Sequence, residues 1–205
     1  MMLGEPNVDR ISRRREATRR EILDAAWALV REDGWGGLTL RGVGARVGMR
    51  APSLYTHFDS KLAIVDAMFA QGWEELDVAM AELEKRLPQD PRAALLEAGP
   101  QIFDAMGQDA DRFALMNQRP VPGFSPSAEA YAHAVRTLER FQRFLGGLGI
   151  DAPEAVDLFT ALMAGLISQQ IANDPGGTRW RRLLPRVITM YADEVGVPST
   201  KNEGS

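Results

Sequence analysis

Apolar residues recur at spacings of three and four along nearly the whole chain, which is the period of an amphipathic helix rather than of a strand. The first such stretch covers residues 22–30, and Gly34 follows it as a stop signal. A longer stretch begins after Asp59 or Ser60, either of which can cap a helix, and ends before Pro88. Further helices are predicted over residues 91–106, 109–117, 126–145, 153–173 and 178–195. We therefore predict an all-α protein.

The stretch that begins at Thr39 predicts two short helices around a tight turn. Thr39 is a suitable N-cap for the first helix, and Gly48 supplies the positive φ that the turn requires. Pro52 fits the first turn of the second helix, where its missing N–H costs nothing. Leu54 and Phe58 lie four residues apart and form the inner side of that helix. This arrangement is typical of a helix-turn-helix.

The opposite side of the second helix is polar and is the candidate DNA-reading surface. Ser53, Thr56 and His57 lie on it, with Tyr55 at its boundary. A recognition helix needs such exposed polar side chains to reach base edges in the major groove, together with phosphate contacts beside it. Four residues are placed to supply those phosphate contacts: Thr39, Arg41, Arg50 and Lys61. The alternatives are that Tyr55 packs against its own domain and that His57 is a neutral turn histidine.

The net charge of the chain is −4, but its charged residues are unevenly distributed along the sequence. Residues 1–61 hold eleven Arg or Lys against eight Asp or Glu, a net +3, whereas the rest of the chain carries −7. Such asymmetry indicates a nucleic-acid-facing segment joined to something else. An arginine cluster, Arg10, Arg13, Arg14, Arg15, Arg19 and Arg20, is interpreted as an arm or a helix start that touches phosphate or the minor groove, or else as a solvated tail.

Composition excludes several kinds of chemistry. The chain has no cysteine, so thiol nucleophiles, disulfides and cysteine-ligated metals are excluded, and His57 and His133 are its only histidines. No nucleophile with a base, no pair of catalytic carboxylates and no glycine-rich phosphate loop is evident. No signal peptide or membrane-spanning stretch is evident either. We expect a cytoplasmic protein that is not an enzyme, has no cofactor or metal and does not bind a membrane.

The residues from Gly37 to Lys61 resemble the DNA-binding domain of the TetR family of one-component transcriptional regulators. The resemblance covers residues 12–64, and its most specific part is Leu-Tyr-Thr-His-Phe-Asp-Ser-Lys, which ends at Lys61. Gly44 and Val47 depart from the family pattern, which usually has alanine there. By resemblance, eight residues face DNA: Thr39, Arg41, Arg50, Ser53, Tyr55, Thr56, His57 and Lys61.

The resemblance also implies a cavity for a small-molecule effector among the later helices. Its candidate lining residues are large and apolar, with a few aromatic or polar members: Trp73, Met80, Ile102, Phe103, Met106, Phe113, Met116, Tyr131, Met163 and Gln170. Methionine and aromatic stripes at helical spacing are also what a plain hydrophobic core contains. Apolar walls with few polar groups suit a hydrophobic or amphipathic ligand.

The last two helices are the candidate interface of a homodimer, because each carries an apolar stripe wide enough to pack inward and against a second copy. The residues assigned to it are Val156, Phe159, Leu166, Leu183, Val187, Met190 and Tyr191. Two-fold pairing places two recognition helices about one turn of DNA apart, which predicts a palindromic operator. A monomer with a thick core is the alternative.

Four segments follow from these patterns. Residues 1–11 are predicted to be a disordered tail, 12–60 a three-helix DNA-binding domain, 61–197 a helical effector-binding and dimerisation domain, and 198–205 a second disordered tail. The predicted function is a ligand-responsive regulator, a repressor that a small molecule releases from its operator. A sequence-nonspecific DNA-binding protein is the first alternative, and a small-molecule enzyme on a helical scaffold is the weaker one.

Overall fold

The chain is all-helical in a computed structural model that describes residues 5–197 and has no strand in that range. In chain order the helices are α1 (Glu5–Gly37), α2 (Leu40–Arg46), α3 (Ala51–Tyr55), α4 (Lys61–Glu84), α5 (Pro91–Gly107), α6 (Ala110–Asn117), α7 (Ala128–Gly147), α8 (Pro153–Asn173), a short 3-10 helix (Arg181–Leu183) and α9 (Leu184–Glu194). The predicted fold class is therefore confirmed. The predicted tail at residues 198–205 lies outside the described residues.

The chain divides into two compact units. The first unit extends to Ala70 and takes in Arg119–Ala130, and the second comprises Gln71–Gln118 and the chain from Tyr131 onward. Helix α4 contributes its beginning to the first unit and its end to the second. The boundary predicted from sequence at residue 60 therefore lies at the start of α4, whereas the structural boundary falls inside that helix.

Short polar side chains begin four of the helices, and two of them, Thr39 and Ser60, are caps that the sequence predicts. The oxygens of Thr39, Asp90 and Asp109 accept hydrogen bonds from main-chain N–H groups at the starts of α2, α5 and α6. Ser60 Oγ accepts from the N–H of Ala63 at 3.1 Å, at the start of α4. Each bond satisfies a donor that the helix itself leaves free, so these starts are set locally.

Two helix boundaries differ from the sequence prediction. Helix α1 begins at Glu5, inside the segment predicted as a tail. It is interrupted at Gly34, whose φ of +68° matches the predicted stop. At the other end of the chain, α9 begins at Leu184 rather than near Thr178, with Pro185 in its first turn.

The first unit is held together by apolar side chains from α1, α2, α3 and α4. Ile22, Trp27, Val43, Leu54 and Ile64 are all almost completely buried. Burial of each such side chain contributes about 1.5–3 kcal/mol. The short helices α2 and α3 are too small to be stable alone, so their packing on α1 and α4 is what fixes them.

The core of the second unit contains a chain of aromatic contacts. The rings of Phe141 and Phe159 are 4.6 Å apart, and the ring of Phe159 meets that of Tyr191 edge-on at 5.3 Å. The Tyr191 hydroxyl donates to the main-chain oxygen of Ala155 at 3.0 Å, and its burial raises the Tyr191 pKa to about 12. These contacts tie α7, α8 and α9 together.

Candidate nucleic-acid interface and effector cavity

Helices α2 and α3 form a helix-turn-helix with the predicted turn chemistry. Thr39 Oγ1 accepts a hydrogen bond from the Gly42 N–H at 3.0 Å, which caps α2. Gly48 has φ +68°, and the Met49 N–H donates to the Gly44 carbonyl at 2.8 Å, which closes the turn. Pro52 lies in the first turn of α3. The local geometry of the motif thus follows from residues that the sequence already singles out.

Gly44 has a packing role in this turn. A Cβ at this position would lie 3.0 Å from the Met49 carbonyl oxygen and 3.8 Å from Leu54 Cδ2. That contact to a backbone oxygen is tighter than ordinary van der Waals packing allows. The glycine therefore lets α2 approach the turn and α3 closely, at a cost in helix propensity of about 1 kcal/mol relative to alanine.

The two sides of α3 are as different as the sequence predicts. Leu54 is 1% exposed and Phe58, just after the helix, is 2% exposed. Ser53 and Thr56 are exposed on the other side, and Tyr55 is 51% exposed. Because half of its surface is exposed to solvent, Tyr55 does not serve as a core residue.

Three of the four predicted phosphate contacts are on the exposed surface of the motif. Thr39, Arg41 and Arg50 are exposed. The side chains of Arg41 and Arg50 make no ion pair or hydrogen bond with the described part of the chain. By contrast Arg46, on the same helix as Arg41, pairs with Glu32 at 2.5 Å. Arg41 and Arg50 are therefore available to an external anion without first breaking an internal contact.

Lys61 is placed differently from the sequence prediction. It is half-buried, and its Nζ donates to the main-chain oxygen of Trp35 at 2.9 Å. This bond holds the start of α4 against the end of α1, where helical carbonyls lack partners of their own. A phosphate contact by Lys61 would use the remaining N–H donors of the same ammonium group.

His57 is half-buried at the end of the motif, and its position depends on Arg19. Nη1 of Arg19 donates to the His57 main-chain oxygen at 2.6 Å, and the guanidinium carbon lies 4.1 Å from the centre of the Phe58 ring. Nδ1 of His57 is buried and has no hydrogen-bond partner among the described residues. Arg19 was grouped by sequence with the arginine cluster, yet it is half-buried within the first unit, and no local pattern distinguishes it from Arg20.

The other members of that cluster are exposed on α1. Arg10, Arg13, Arg14, Arg15 and Arg20 all lie on this helix, so the basic segment is helical in the described structure. The interpretation as a helix start therefore agrees with the structure and the interpretation as a loose tail does not, while the contact with phosphate or the minor groove stays a prediction.

Comparison with known proteins gives the same picture of this region. Residues 22–68 match the family described as "Bacterial regulatory proteins, tetR family". An uncharacterised HTH-type transcriptional regulator of Mycobacterium tuberculosis is 37% identical over 67 residues, which is 32% of this chain and 32% of that protein. The tetracycline repressor protein class D of Escherichia coli is 40% identical over 50 residues, 24% of this chain and 23% of the repressor. The match thus spans a third or less of the length of these relatives.

Solved structures extend the likeness to the whole fold. A candidate regulatory protein, SCO4313, superposes with a TM-score of 0.73 at 18% identity, covering 89% of this chain and 98% of that one. A TetR-family transcriptional regulator from Streptomyces coelicolor gives 0.64 at 22% identity, covering 86% and 98%. The helix-turn-helix region, residues 22–68, is therefore of the TetR type. At these identities the structural likeness shows the fold, and the family match is confined to the helix-turn-helix region.

The second unit of the chain contains a cavity of about 300 Å³. Its wall is formed by side chains of α4, α5, α6, α7 and α8: Trp73, Leu76, Met80, Ile102, Met106, Asn117, Thr137, Leu138, Phe141, Val156, Asp157, Phe159, Thr160, Met163 and Ala164. Half of the ten residues predicted to line a pocket do so: Trp73, Met80, Ile102, Met106 and Met163.

The other five residues predicted to line this pocket are placed elsewhere, which corrects the assignment. Phe103 and Phe113 are 4% and 2% exposed and belong to the core. Met116 lines a smaller cavity of about 60 Å³, and Tyr131 is 51% exposed. Gln170 is buried, and its Oε1 accepts hydrogen bonds from the N–H groups of Trp180 and Arg181 at 2.9 and 3.3 Å. Periodicity identifies the apolar face of a helix but not where the core ends and the cavity begins.

The structure buries some of the residues predicted to form a dimer interface and exposes others. Phe159 and Tyr191 are 4% and 1% exposed, and Val156 lines the cavity, so these three face inward. Met190 is 60% exposed and Leu183 is 38% exposed. Leu166 and Val187 are half-buried. The apolar stripe of α8 identified from sequence is therefore its inner face, since a helix that is apolar on both sides gives no signal for which side is inside.

Helix α8 presents a second apolar face that the sequence reasoning missed. Leu158 is 38% exposed, Leu162 is half-buried, and Ala161 and Gly165 are exposed. The mean hydropathy of the most apolar part of α8 is 1.3, yet only 28% of that part is buried. Among the described helices it alone is long and apolar enough to span a membrane by composition. The i, i+3, i+4, i+7 spacing of these four residues could have revealed the face.

Proposed function

We propose that this chain is a TetR-family transcriptional repressor that binds a palindromic DNA operator as a homodimer and is released by a small hydrophobic or amphipathic effector. It would act in the cytoplasm, where bacterial DNA is located. The proposal includes no catalytic step and no cofactor.

The observation that carries the DNA-binding part is the free polar surface of the helix-turn-helix. Ser53, Tyr55 and Thr56 are exposed on α3, and the unpaired Arg41 and Arg50 flank that helix. A short rigid helix with polar side chains fits the major groove, and flanking arginines fit phosphates through charge-assisted hydrogen bonds. Phosphate contacts set affinity and register, and the α3 side chains would supply sequence discrimination.

Exposed apolar side chains on α8, the 3-10 helix and α9 support the homodimer. Leu158, Leu183 and Met190 expose more than a third of their surface, and Ala161 and Gly165 leave room for close helix approach. Contiguous exposed apolar surface marks interaction sites. A second copy is the partner that such a surface fits under two-fold symmetry, because each stripe then meets its own counterpart. A two-fold dimer reads a two-fold operator, hence the palindrome.

The cavity in the second unit supports control by an effector. Wall residues come from five helices, so a bound molecule would change the packing among them. FadR from Bacillus subtilis, which shares the fold with a TM-score of 0.64 at 17% identity, has been solved in complex with stearoyl-CoA. Helix α4 begins in the first unit and ends in the second. An effector that displaces its second-unit portion would therefore act on a helix that continues to the DNA-binding motif. The effector acts by favouring a conformation that binds operator poorly.

The direct experiment selects bound sequences from a random DNA pool and measures the affinity of the selected site against random DNA at fixed salt. A palindromic site preferred by about 10³-fold or more is the expected result. A preference near unity would instead favour the sequence-nonspecific alternative, which the basic first 61 residues also permit.

Variants of the free arginines test the interface itself. Arg41→Ala and Arg50→Ala should each reduce the slope of log affinity against log salt by about 0.9, because each removes one phosphate contact. Tyr55→Ala should weaken the selected operator without changing the fold. Arg182→Ala, which removes an exposed arginine from the 3-10 helix of the second unit, is the matched control and should leave the slope unchanged. Equal slopes for all the arginine variants would contradict the assigned surface.

A further inference from the structure

One residue sets the charge of the wall of the 300 Å³ cavity. Asp157 is its single ionisable side chain, and the described wall contains no lysine, arginine or histidine. Asp157 is exposed and makes no side-chain hydrogen bond or ion pair with the described residues. The carboxylate is therefore available to a molecule in the cavity, and nothing in the wall would neutralise an anionic ligand.

The hydroxyl groups of the wall reinforce this polarity. Thr137 Oγ1 donates to the main-chain oxygens of His133 and Trp73, at 3.0 and 3.3 Å. Thr160 Oγ1 donates to the main-chain oxygen of Asp157 at 3.0 Å. Each hydroxyl has one proton and two lone pairs, so with the proton committed to a carbonyl it can offer the cavity only acceptor capacity. Both threonines thus favour a ligand that donates hydrogen bonds.

The rest of the wall is suited to the apolar part of such a ligand. Phe141 and Phe159 lie with ring centres 4.6 Å apart, and Met80, Met106 and Met163 add polarisable sulfur atoms. An alkyl or aryl group would bury itself against these side chains at no electrostatic cost.

We propose that the cavity binds an amphipathic organic cation, with its apolar group among the methionine and phenylalanine side chains and its ammonium group at Asp157. This proposal rests on the proposed function, in which the cavity is the effector site. A fatty acid of the same length is disfavoured, because its carboxylate would meet the like charge of Asp157 and the threonine lone pairs in a wall that holds no cationic side chain.

Three probes of equal chain length isolate the head group: octylammonium, octanol and octanoate. Binding to the full chain is measured by isothermal titration calorimetry without DNA. Octylammonium should bind tightest and octanoate weakest, with a ratio of about tenfold or more, the range expected when a partly solvated ion pair is replaced by like-charge repulsion. Octanoate binding as well as octylammonium, or no binding of any probe, would overturn the proposal.

Variants place the binding in this cavity. Asp157→Asn should weaken octylammonium about fivefold, leave octanol unchanged and improve octanoate. Glu154→Gln, one turn earlier on α8 and exposed outside the wall, is the matched control and should change each affinity by less than about twofold. Ala164→Leu fills part of the cavity and should weaken all three probes. Unchanged octylammonium affinity in Asp157→Asn would contradict the assignment, and this exposed substitution does not threaten the fold.

An operator-binding measurement separates this inference from the function on which it rests. If octylammonium binding depends on Asp157 but leaves operator affinity unchanged, the result supports the cation site and contradicts effector control by this cavity. If the chain binds its operator specifically and another molecule releases it, but octylammonium binds no tighter than octanoate, the result supports the proposed regulator and contradicts the cation site.

Discussion

Arg19 donates from Nη1 to the main-chain oxygen of His57 at 2.6 Å and places its guanidinium 4.1 Å from the centre of the Phe58 ring. The pair joins α1 to the turn that follows α3, across 38 residues of sequence. That turn carries His57 and precedes α4, so one guanidinium fixes the end of the DNA-reading segment. Arg19 is thus a positioning residue for the helix-turn-helix, although it is not itself one of the exposed arginines.

Replacing Arg19 with alanine should destabilise the first unit by about 1–2 kcal/mol, the combined contribution of a hydrogen bond from a charged donor and a cation–π contact in a half-buried position. Operator affinity should fall by about tenfold, because the α3–α4 turn loses its anchor. Urea unfolding and operator titration measure the two effects.

Arg20→Ala is the control for that substitution. Arg20 is exposed, and its Nε lies 3.9 Å from Glu16 on the same helix, a pair that contributes at most about 0.5 kcal/mol. Arg19→Lys should recover part of the stability, since lysine keeps the charge but not the planar stacking. Equal losses of unfolding free energy in Arg19→Ala and Arg20→Ala would show that the Arg19 contacts do not stabilise the first unit.

Gln170 organises the connection between α8 and α9 instead of lining the cavity. Its Oε1 accepts from the Trp180 and Arg181 N–H groups, and its Nε2 donates to the Asp174 main-chain oxygen and, at 3.2 Å, to Asp174 Oδ2. The Asp174 carboxylate also accepts from the Arg179 N–H at 2.7 Å, and these bonds lower the Asp174 pKa. The loop is therefore stabilised by one amide and one carboxylate.

We expect Gln170→Leu to cost about 2 kcal/mol, because it leaves two main-chain donors without their acceptor. Octylammonium binding should be unchanged in the folded variant. Gln169→Leu is the matched control: Gln169 is exposed and accepts only from Asn173 Nδ2, so its loss should cost about 0.5 kcal/mol or less. Chemical denaturation compares the two. A large loss of ligand affinity in Gln170→Leu would return this residue to the effector site.

The parts of the molecule that sequence predicts well are those set by local chemistry. Thr39, Gly48 and Pro52 fix the helix-turn-helix through a cap, a positive φ and a helix start, each of which acts within a few residues. The exposed side of α3 follows from the burial of Leu54 and Phe58 four residues apart. Such features need no knowledge of distant contacts.

The parts that sequence does not predict depend on tertiary contacts. Lys61 and Arg19 are engaged with main-chain oxygens 26 and 38 residues away, which no local pattern encodes. On α8, both sides are apolar, so the stripe through Phe159 was assigned to a partner chain although it packs inward. Asp157 was missed because a single carboxylate on a helix has no signature until the cavity beside it is known.

The proposed dimer face can be tested at its most exposed apolar residue. Met190→Asp should weaken self-association by about 30-fold or more, because a carboxylate would be desolvated at the interface. Val78→Asp, which places the same charge at a 58%-exposed residue of α4, should leave association unchanged. Sedimentation velocity over a concentration series measures both. Equal association constants for the two variants, or a wild-type chain that stays monomeric at high concentration, would contradict the proposed interface.

Tyr191 makes the stability of the second unit sensitive to alkaline pH. Burial raises its pKa to about 12, whereas an unfolded tyrosine titrates near 10. The unfolded chain therefore loses this proton first. The stability contributed by the neutral phenol is complete below pH about 10 and declines as pH rises towards about 12, by about 2–3 kcal/mol in total.

Tyr191→Phe should cost about 1 kcal/mol at neutral pH, because the Ala155 carbonyl loses its donor, yet it should remove this part of the alkaline decline. Urea unfolding of both proteins from pH 8 to 11.5 measures the difference, with Tyr131→Phe, at an exposed tyrosine, as the control. Parallel decline of the wild type and Tyr191→Phe would show that this phenol is not what couples the fold to alkaline pH.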